Sequence, residues 1–172
     1  MSKSLTILAA LAAVSAPAFA QGFYVDGGYQ HIMIDEDGVD ADLGAVTGHL
    51  GYSFSDFFAV EAEGSIGVKD ETVDILGTDV DLELNYLVGA FARGQLPLGQ
   101  NATLFARAGV VNAELEVSGP GASASESESG YGYGAGGEFM FSERVGLRGE
   151  YTRYDIDDLE ADTFTVAAVL KF

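Results

Sequence analysis

From residue 21 onward, apolar residues recur at every second position in runs of about ten, the period of an extended strand with two unlike faces. Eight such runs stand out, at 22–34, 43–54, 57–69, 80–95, 102–116, 130–141, 145–156 and 162–172. The third shows the pattern plainly. Phe58, Val60, Ala62, Gly64, Ile66 and Val68 share one face, and Ala59, Glu61, Glu63, Ser65, Gly67 and Lys69 the other. A chain so patterned is predicted to form an all-β, eight-stranded antiparallel sheet.

The connections alternate in kind. Ser55-Asp56, Leu96 to Asn101 and Ser142 to Arg144 are short, whereas Asp35 to Asp42, Asp70 to Asp79, Val117 to Ser129 and Asp157 to Ala161 are mostly longer. Short turns at one end and long loops at the other describe an up-and-down membrane barrel, with the short turns periplasmic. Twenty-three Gly against three Pro favour strands and tight turns. Beyond residue 20 no segment approaches the roughly 20 apolar residues of a membrane helix, so any membrane residence must be through a closed barrel.

The position of the ionisable residues decides which face is outside. Val145, Leu147, Gly149 and Tyr151 oppose Arg148, Glu150 and Thr152, and Tyr131, Tyr133, Ala135, Gly137, Phe139 and Phe141 oppose Glu138. A cation facing lipid costs about 2–4 kcal/mol near the midplane, so the charged face is predicted to be the lumen. Val60, Leu84, Val88, Leu104, Leu147, Val166 and Leu170 should then face lipid. The aromatics fall into two belts, Phe23, Phe54, Phe57, Phe58, Phe141 and Phe172 at the periplasmic rim and Tyr29, Tyr86, Tyr131, Tyr133, Tyr151 and Phe164 toward the outside. A soluble sandwich or lipocalin-like periplasmic binder is the alternative architecture.

The opening "GFYVDGGYQ", the third-strand "AVEAEGS", the seventh-strand "LRGEYTRY" and the terminal "FTVAAVLKF" resemble the OmpA/OmpX-type small barrels and the broader outer-membrane β-barrel domain family. The resemblance covers the chain from residue 21 onward. It implies an eight-stranded antiparallel up-and-down transmembrane β-barrel in the outer membrane of a Gram-negative bacterium, exported through the periplasm, without the peptidoglycan-binding domain of full-length OmpA proteins. The final alternation Phe164, Val166, Ala168, Leu170 and Phe172 resembles the signal read by barrel-assembly machinery. Expected partners are that machinery, periplasmic chaperones, outer-membrane lipid and lipopolysaccharide; the barrel is expected to be a monomer.

The N-terminus reads as an address. Lys3 precedes an apolar run from Leu5 to Val14, and Ala18-Phe19-Ala20 is a small-x-small cleavage site, so residues 1–20 are predicted to be a Sec signal peptide and 21–172 the barrel domain. The absence of cysteine removes disulfides, thiolate metal sites and cysteine nucleophiles. A formal charge of −19 with eight Lys plus Arg opposes nucleic-acid binding, which needs a basic patch.

An eight-stranded barrel has room inside only for side chains. Counted from the periplasmic turns, Asp26, His49, Glu61, Arg107, Glu138 and Arg148 share a height, with Glu63, Arg93, Glu150 and Lys171 in neighbouring layers. Buried charges persist when paired, so an ion-pair network is expected, with Glu138 shared by Arg107 and Arg148. Such a network fills the lumen; in the resembled family interior pairs of this kind exchange partners and open a narrow water path, which implies a low-conductance porin.

The acidic outer segments predict a solvated, self-repelling rim, or one bridged by Ca²⁺ or Mg²⁺ through Asp35, Asp37, Asp40 and Asp42. That segment lacks the twelfth-position Glu of an EF-hand loop, where Val46 stands. A lipid-modifying enzyme would need a rim His with a Ser and an acid; only His31 and His49 exist, of which His49 lies inward and low with Thr47 and Ser53, away from lipid, and His31, near the top of the first strand, has no evident Ser partner. The expectation is a non-enzymatic structural or surface-interaction protein, adhesin-like or a surface antigen, with no cofactor.

Overall fold

A computed structural model describes residues 22–36, 39–69, 71–75, 78–119, 122–157 and 159–172. The export signal read at 1–20 lies outside the described residues. The strands are β1 (Phe23–Glu36), β2 (Val39–Ser53), β3 (Phe58–Lys69), β4 (Glu71–Ile75), β5 (Thr78–Leu98), β6 (Ala102–Gly119), β7 (Ala122–Met140), β8 (Val145–Ile156) and β9 (Leu159–Lys171). All pairings are antiparallel and join sequence neighbours, except that β3 pairs with β5 in place of β4 and that β1 pairs with β9, from Tyr24↔Lys171 to Ile34↔Ala161, which closes the sheet. β3 and β4 follow one another along β5, Ser65 opposite Leu87 and Glu71 opposite Leu82, and together make one of eight staves.

Strict alternation places each stave's two faces as the lipid argument requires. Val60, Val88, Leu104, Leu147 and Val166 are 45–64% exposed although apolar. A bare apolar band of this extent is abnormal in water and matches a wall solvated by lipid. Phe23, Phe54, Phe57, Phe58, Phe139 and Phe141 ring its lower edge, and Tyr29, Tyr131, Tyr133, Tyr151 and Phe164 its upper edge.

Two sequence expectations need correction. Leu84 is buried, not lipid-facing, because the β5–β6 register slips between Leu84 and Tyr86; this bulge reverses the alternation and turns both Leu84 and Leu87 inward. Leu170 keeps the outward parity of Val166 and Ala168 and is half-buried at the periplasmic end. The segments read as long outer loops are largely strand: β1 and β2 pair up to Glu36↔Val39, β4 and β5 to Ile75↔Thr78, and β6 and β7 to Gly119↔Ala122. Ser123 to Ser129 keeps a period of two in small and acidic residues, a pattern that a search for apolar alternation passes over.

The upper staves therefore rise beyond the closed wall. β7 meets β8 only from Gly130↔Ile156, so Ala122 to Ser129 is paired on the β6 side alone among the described residues. β2 meets β3 only as far as Gly44↔Lys69, leaving β4 paired with β5 alone among the described residues. A four-stranded sheet, β4-β5-β6-β7, projects outward, and among the described residues its two outer edges carry no backbone ladder.

Candidate functional site: the barrel lumen

The interior is divided into two layers. The outer half is apolar, a cluster of Ile32, Ile34, Leu43, Ala45, Leu84, Leu87, Phe91, Val111, Ala113, Tyr154, Ile156 and Ala161. The half nearer the periplasm is ionic, and Asp26, His49, Glu61, Glu63, Arg93, Arg107, Glu138, Arg148 and Glu150 are all buried there.

Glu61 on β3 is the hub. Arg148 on β8 donates to Glu61 Oε1 from Nη1 (2.8 Å) and to Oε2 from Nη2 (3.1 Å), and Arg93 on β5 donates to Oε1 at 2.8 Å. Arg107 on β6 stands 3.7 Å from Oε2, and the Tyr24 hydroxyl donates to Oε1 at 2.6 Å. Arg148 also binds Asp26 Oδ2 (2.9 Å) and Glu150, to which its Nε donates at 2.8 Å. Arg107 pairs with Glu63 at 2.6 Å and closely with Glu150, whose Oε1 also accepts from Thr152 at 2.6 Å.

His49 bridges two acids, Nδ1 to Asp26 Oδ1 at 2.5 Å and Nε2 to Glu63 Oε2 at 3.1 Å. Both nitrogens face carboxyl oxygens, which with both acids ionised requires the doubly protonated ring. With His49 counted as a cation, Arg93, Arg107, Arg148 and Lys171 complete a balance against Asp26, Glu61, Glu63, Glu138 and Glu150.

Glu138 does not serve Arg107 and Arg148. Its oxygens meet Arg93 (2.7 Å) and Lys171 (2.9 Å), although Glu138 and Arg148 face each other in backbone register. Arg148 is long enough to cross the lumen, and the hub there offers it more carboxylate than its neighbour does. Lys171, about a third exposed, guards the periplasmic end. Phe172, the terminal residue, donates its backbone N–H to Phe23 O at 3.0 Å across the β1–β9 seam.

Residues without charge complete the layer and were not singled out in the sequence. The Phe105 ring carries two guanidiniums, Arg93 at 3.9 Å and Arg148 at 4.6 Å, and Phe91 carries Arg107 at 4.1 Å. Room for both rings comes from β7, whose inward positions from 130 to 136 are glycine: a Cβ at Gly132 would stand 2.8 Å from Phe91, and one at Gly136 2.5 Å from Phe105. Tyr154 donates to Glu63 Oε1 at 2.5 Å and roofs the layer. Each of these residues shares the parity of a charged residue on its own strand, which is the signal that could have found them.

At the outer rim, Arg153 pairs with Asp162 (2.9 Å) and Glu160 (3.4 Å), and His31 with Asp42 (3.3 Å). Opposite His31 in register stand Gly44 and Phe164, neither of which bears a hydroxyl. Of the candidate cation ligands, Asp37 and the side chains of Asp35 and Asp40 lie outside the described residues, and no group of three or more potential ligands occurs among the described ones.

The same architecture occurs in known proteins. Ail, the attachment invasion locus protein of Yersinia pestis, superposes with a TM-score of 0.67 at 21% identity, covering 88% of this chain and 99% of that one. Neisserial surface protein A gives 0.68 at 19% identity over 88% and 98%, and OprG of Pseudomonas aeruginosa 0.66 at 13% over 89% and 97%. At these identities the likeness is one of fold. None of the curated proteins matches the sequence. Residues 6–172 match the outer membrane protein beta-barrel domain, and with the lipid-facing wall and charged lumen this chain belongs to that family of the Gram-negative outer membrane.

Proposed function

We propose that this protein is a surface-interaction barrel, adhesin-like in role, that presents a projecting β-sheet to the outside on a plugged, membrane-anchored base. The observation that carries this reading is the β4-β5-β6-β7 extension, whose two outer edges have no backbone ladder among the described residues. A free edge offers unpaired backbone N–H and C=O groups to which an extended polypeptide can add as a further strand. The sequence of the extension is acidic, with Glu71, Asp74, Asp79, Asp81, Glu83, Glu114, Glu116, Glu126 and Glu128. Such a surface suits a cationic partner. Ail has been seen with a heparin analogue, sucrose octasulfate, a polyanion, and the charge here argues for the opposite class of ligand.

Bacteria displaying the full chain should adhere to an immobilised lysine-rich peptide, less so at high salt. Shortening the β6–β7 hairpin down to Asn112 and Ser129 should remove the adherence while the barrel stays folded. Equal adherence with and without the hairpin would overturn the reading.

A second reading, a narrow gated pore, draws on Glu61: three guanidiniums stand within 3.7 Å of it, so partners can exchange without leaving a bare charge. Planar-bilayer recording on refolded protein tests it, with brief, low-conductance openings the expected signature. A rim-located lipid enzyme has weaker support, because His31 has an acid beside it but Gly44 and Phe164 as its register partners.

A further inference from the structure

Within the apolar outer layer lies a cavity of about 40 Å³, walled by Ile32, Ile34, Leu43, Leu84 and Leu87 and reaching Gln30. Gln30 is 1% exposed, and its Oε1 has no hydrogen-bond partner. Its Nε2 is committed, donating to the Tyr154 hydroxyl (3.2 Å) and to Thr163 Oγ1 (3.4 Å). Those hydroxyls are themselves spent, Tyr154 on Glu63 Oε1 and Thr163 on the Thr152 carbonyl. Apart from the Tyr154 and Thr163 hydroxyls, whose protons are committed elsewhere, the wall is apolar, and Gln30 Oε1 is its one acceptor without a partner.

The volume exceeds the roughly 10–15 Å³ that one water requires, but a buried water is held by two to four polar partners, and this wall offers one unpartnered acceptor and no free donor. A charged occupant would lack a counterion. We propose that the cavity is a binding site for a neutral short-chain amphiphile, an alcohol or amide of a few heavy atoms, whose O–H or N–H donates to Gln30 Oε1 while its alkyl part fills the space among Ile32, Leu43 and Leu84. Ile34, Leu43 and Ala161 belong to the outer ends of their strands, so entry is from the extracellular side.

Titration of the mature barrel in phospholipid nanodiscs with n-butanol, followed by NMR at the Gln30 side-chain amide and the Ile32 and Ile34 methyls, tests this. Saturable shifts at all three groups are expected, with methyl propyl ether, which has no donor, binding about tenfold more weakly, the scale of one net hydrogen bond. Gln30→Leu should erase the preference for the alcohol, and Ala113→Phe, which fills the cavity, should abolish the shifts. Should Ala113→Phe fail to fold, the smaller Ala161→Val serves the same purpose. Shifts that never saturate, equal response to alcohol and ether, persistence in the filled variant, or a site occupied by water that butanol does not displace would each overturn the proposal.

Discussion

Arg148 and Glu61 stand on diametrically opposed staves, β8 and β3, four steps apart in either direction around the barrel, and are joined through its centre by two hydrogen bonds of 2.8 and 3.1 Å. The pair is a cross-brace. Neighbouring staves are already tied by backbone ladders, so a contact across the diameter restrains the one deformation that ladders permit, flattening of the ring. Both side chains are buried, and removing one partner strands the other in a medium that solvates it poorly.

Arg148→Met should therefore lower the unfolding free energy by about 3–5 kcal/mol, the cost of breaking a buried pair. Combining it with Glu61→Gln should cost less than the two single changes together, with a coupling of about 1–3 kcal/mol. The chain has no Trp, so urea unfolding is best followed by circular dichroism or electrophoretic mobility. Strictly additive losses would mean that the brace is geometric and carries little energy.

Gating separates Glu61 from Glu138. Glu61→Gln withdraws the charge shared by Arg93, Arg107 and Arg148, whereas Glu138→Ala leaves Arg93 its Glu61 partner and releases Lys171, which already reaches solvent. If partner exchange opens a path, Glu61→Gln should raise the open probability in planar bilayers more than Glu138→Ala does. Unchanged traces from both folded variants would leave a filled lumen and no gate.

Most of this arrangement is legible in the sequence, for a reason specific to membrane barrels. The period of a strand is two and a charge facing lipid is costly, so parity alone separates Arg148 from Leu147 and Glu61 from Val60. Parity fails where it is locally reversed, and the bulge between Leu84 and Tyr86 is such a place. It also fails to reveal the apolar outer layer, because Ile32 and Ile34 invert the expected polarity once the lumen need not be ionic. Pairing within the lumen was misread for a different reason. Height above the turn ranks residues into layers, but an arginine spans the lumen, so Arg148 answers Glu61 across the barrel although Glu138 sits beside it in register.

Glycine placement should have measurable consequences. A methyl at Gly136 would meet Phe105 at 2.5 Å and the Gly149 carbonyl at 2.4 Å, the latter being backbone that cannot turn away. Gly136→Ala should cost about 1–3 kcal/mol, in the range of core overpacking. Gly149, on the lipid-facing side, has nothing within 4 Å of the same methyl, so Gly149→Ala should fall within about 0.5 kcal/mol of the parent. Urea midpoints compared at constant slope decide it; equal effects at the two positions would show that β7 is not close-packed against the rings.

His49 offers a test of charge balance inside the lumen. Its two nitrogens meet Asp26 and Glu63, and the ring is the only cation in contact with both of these acids among the pairs described. His49→Leu leaves the acids with Arg148 and Arg107, which they already share with Glu61 and Glu150, so the network becomes one positive charge short in a buried layer. The loss should be about 3–5 kcal/mol, as for other broken buried pairs. Adding Asp26→Asn removes the surplus negative charge and should recover a good part of that loss, even though it deletes a further ionic contact. Recovery by Asp26→Asn marks the deficit as electrostatic. If the double variant is instead weaker than His49→Leu alone, the imidazole's contribution is packing, and the charge count is not what holds the lower lumen together.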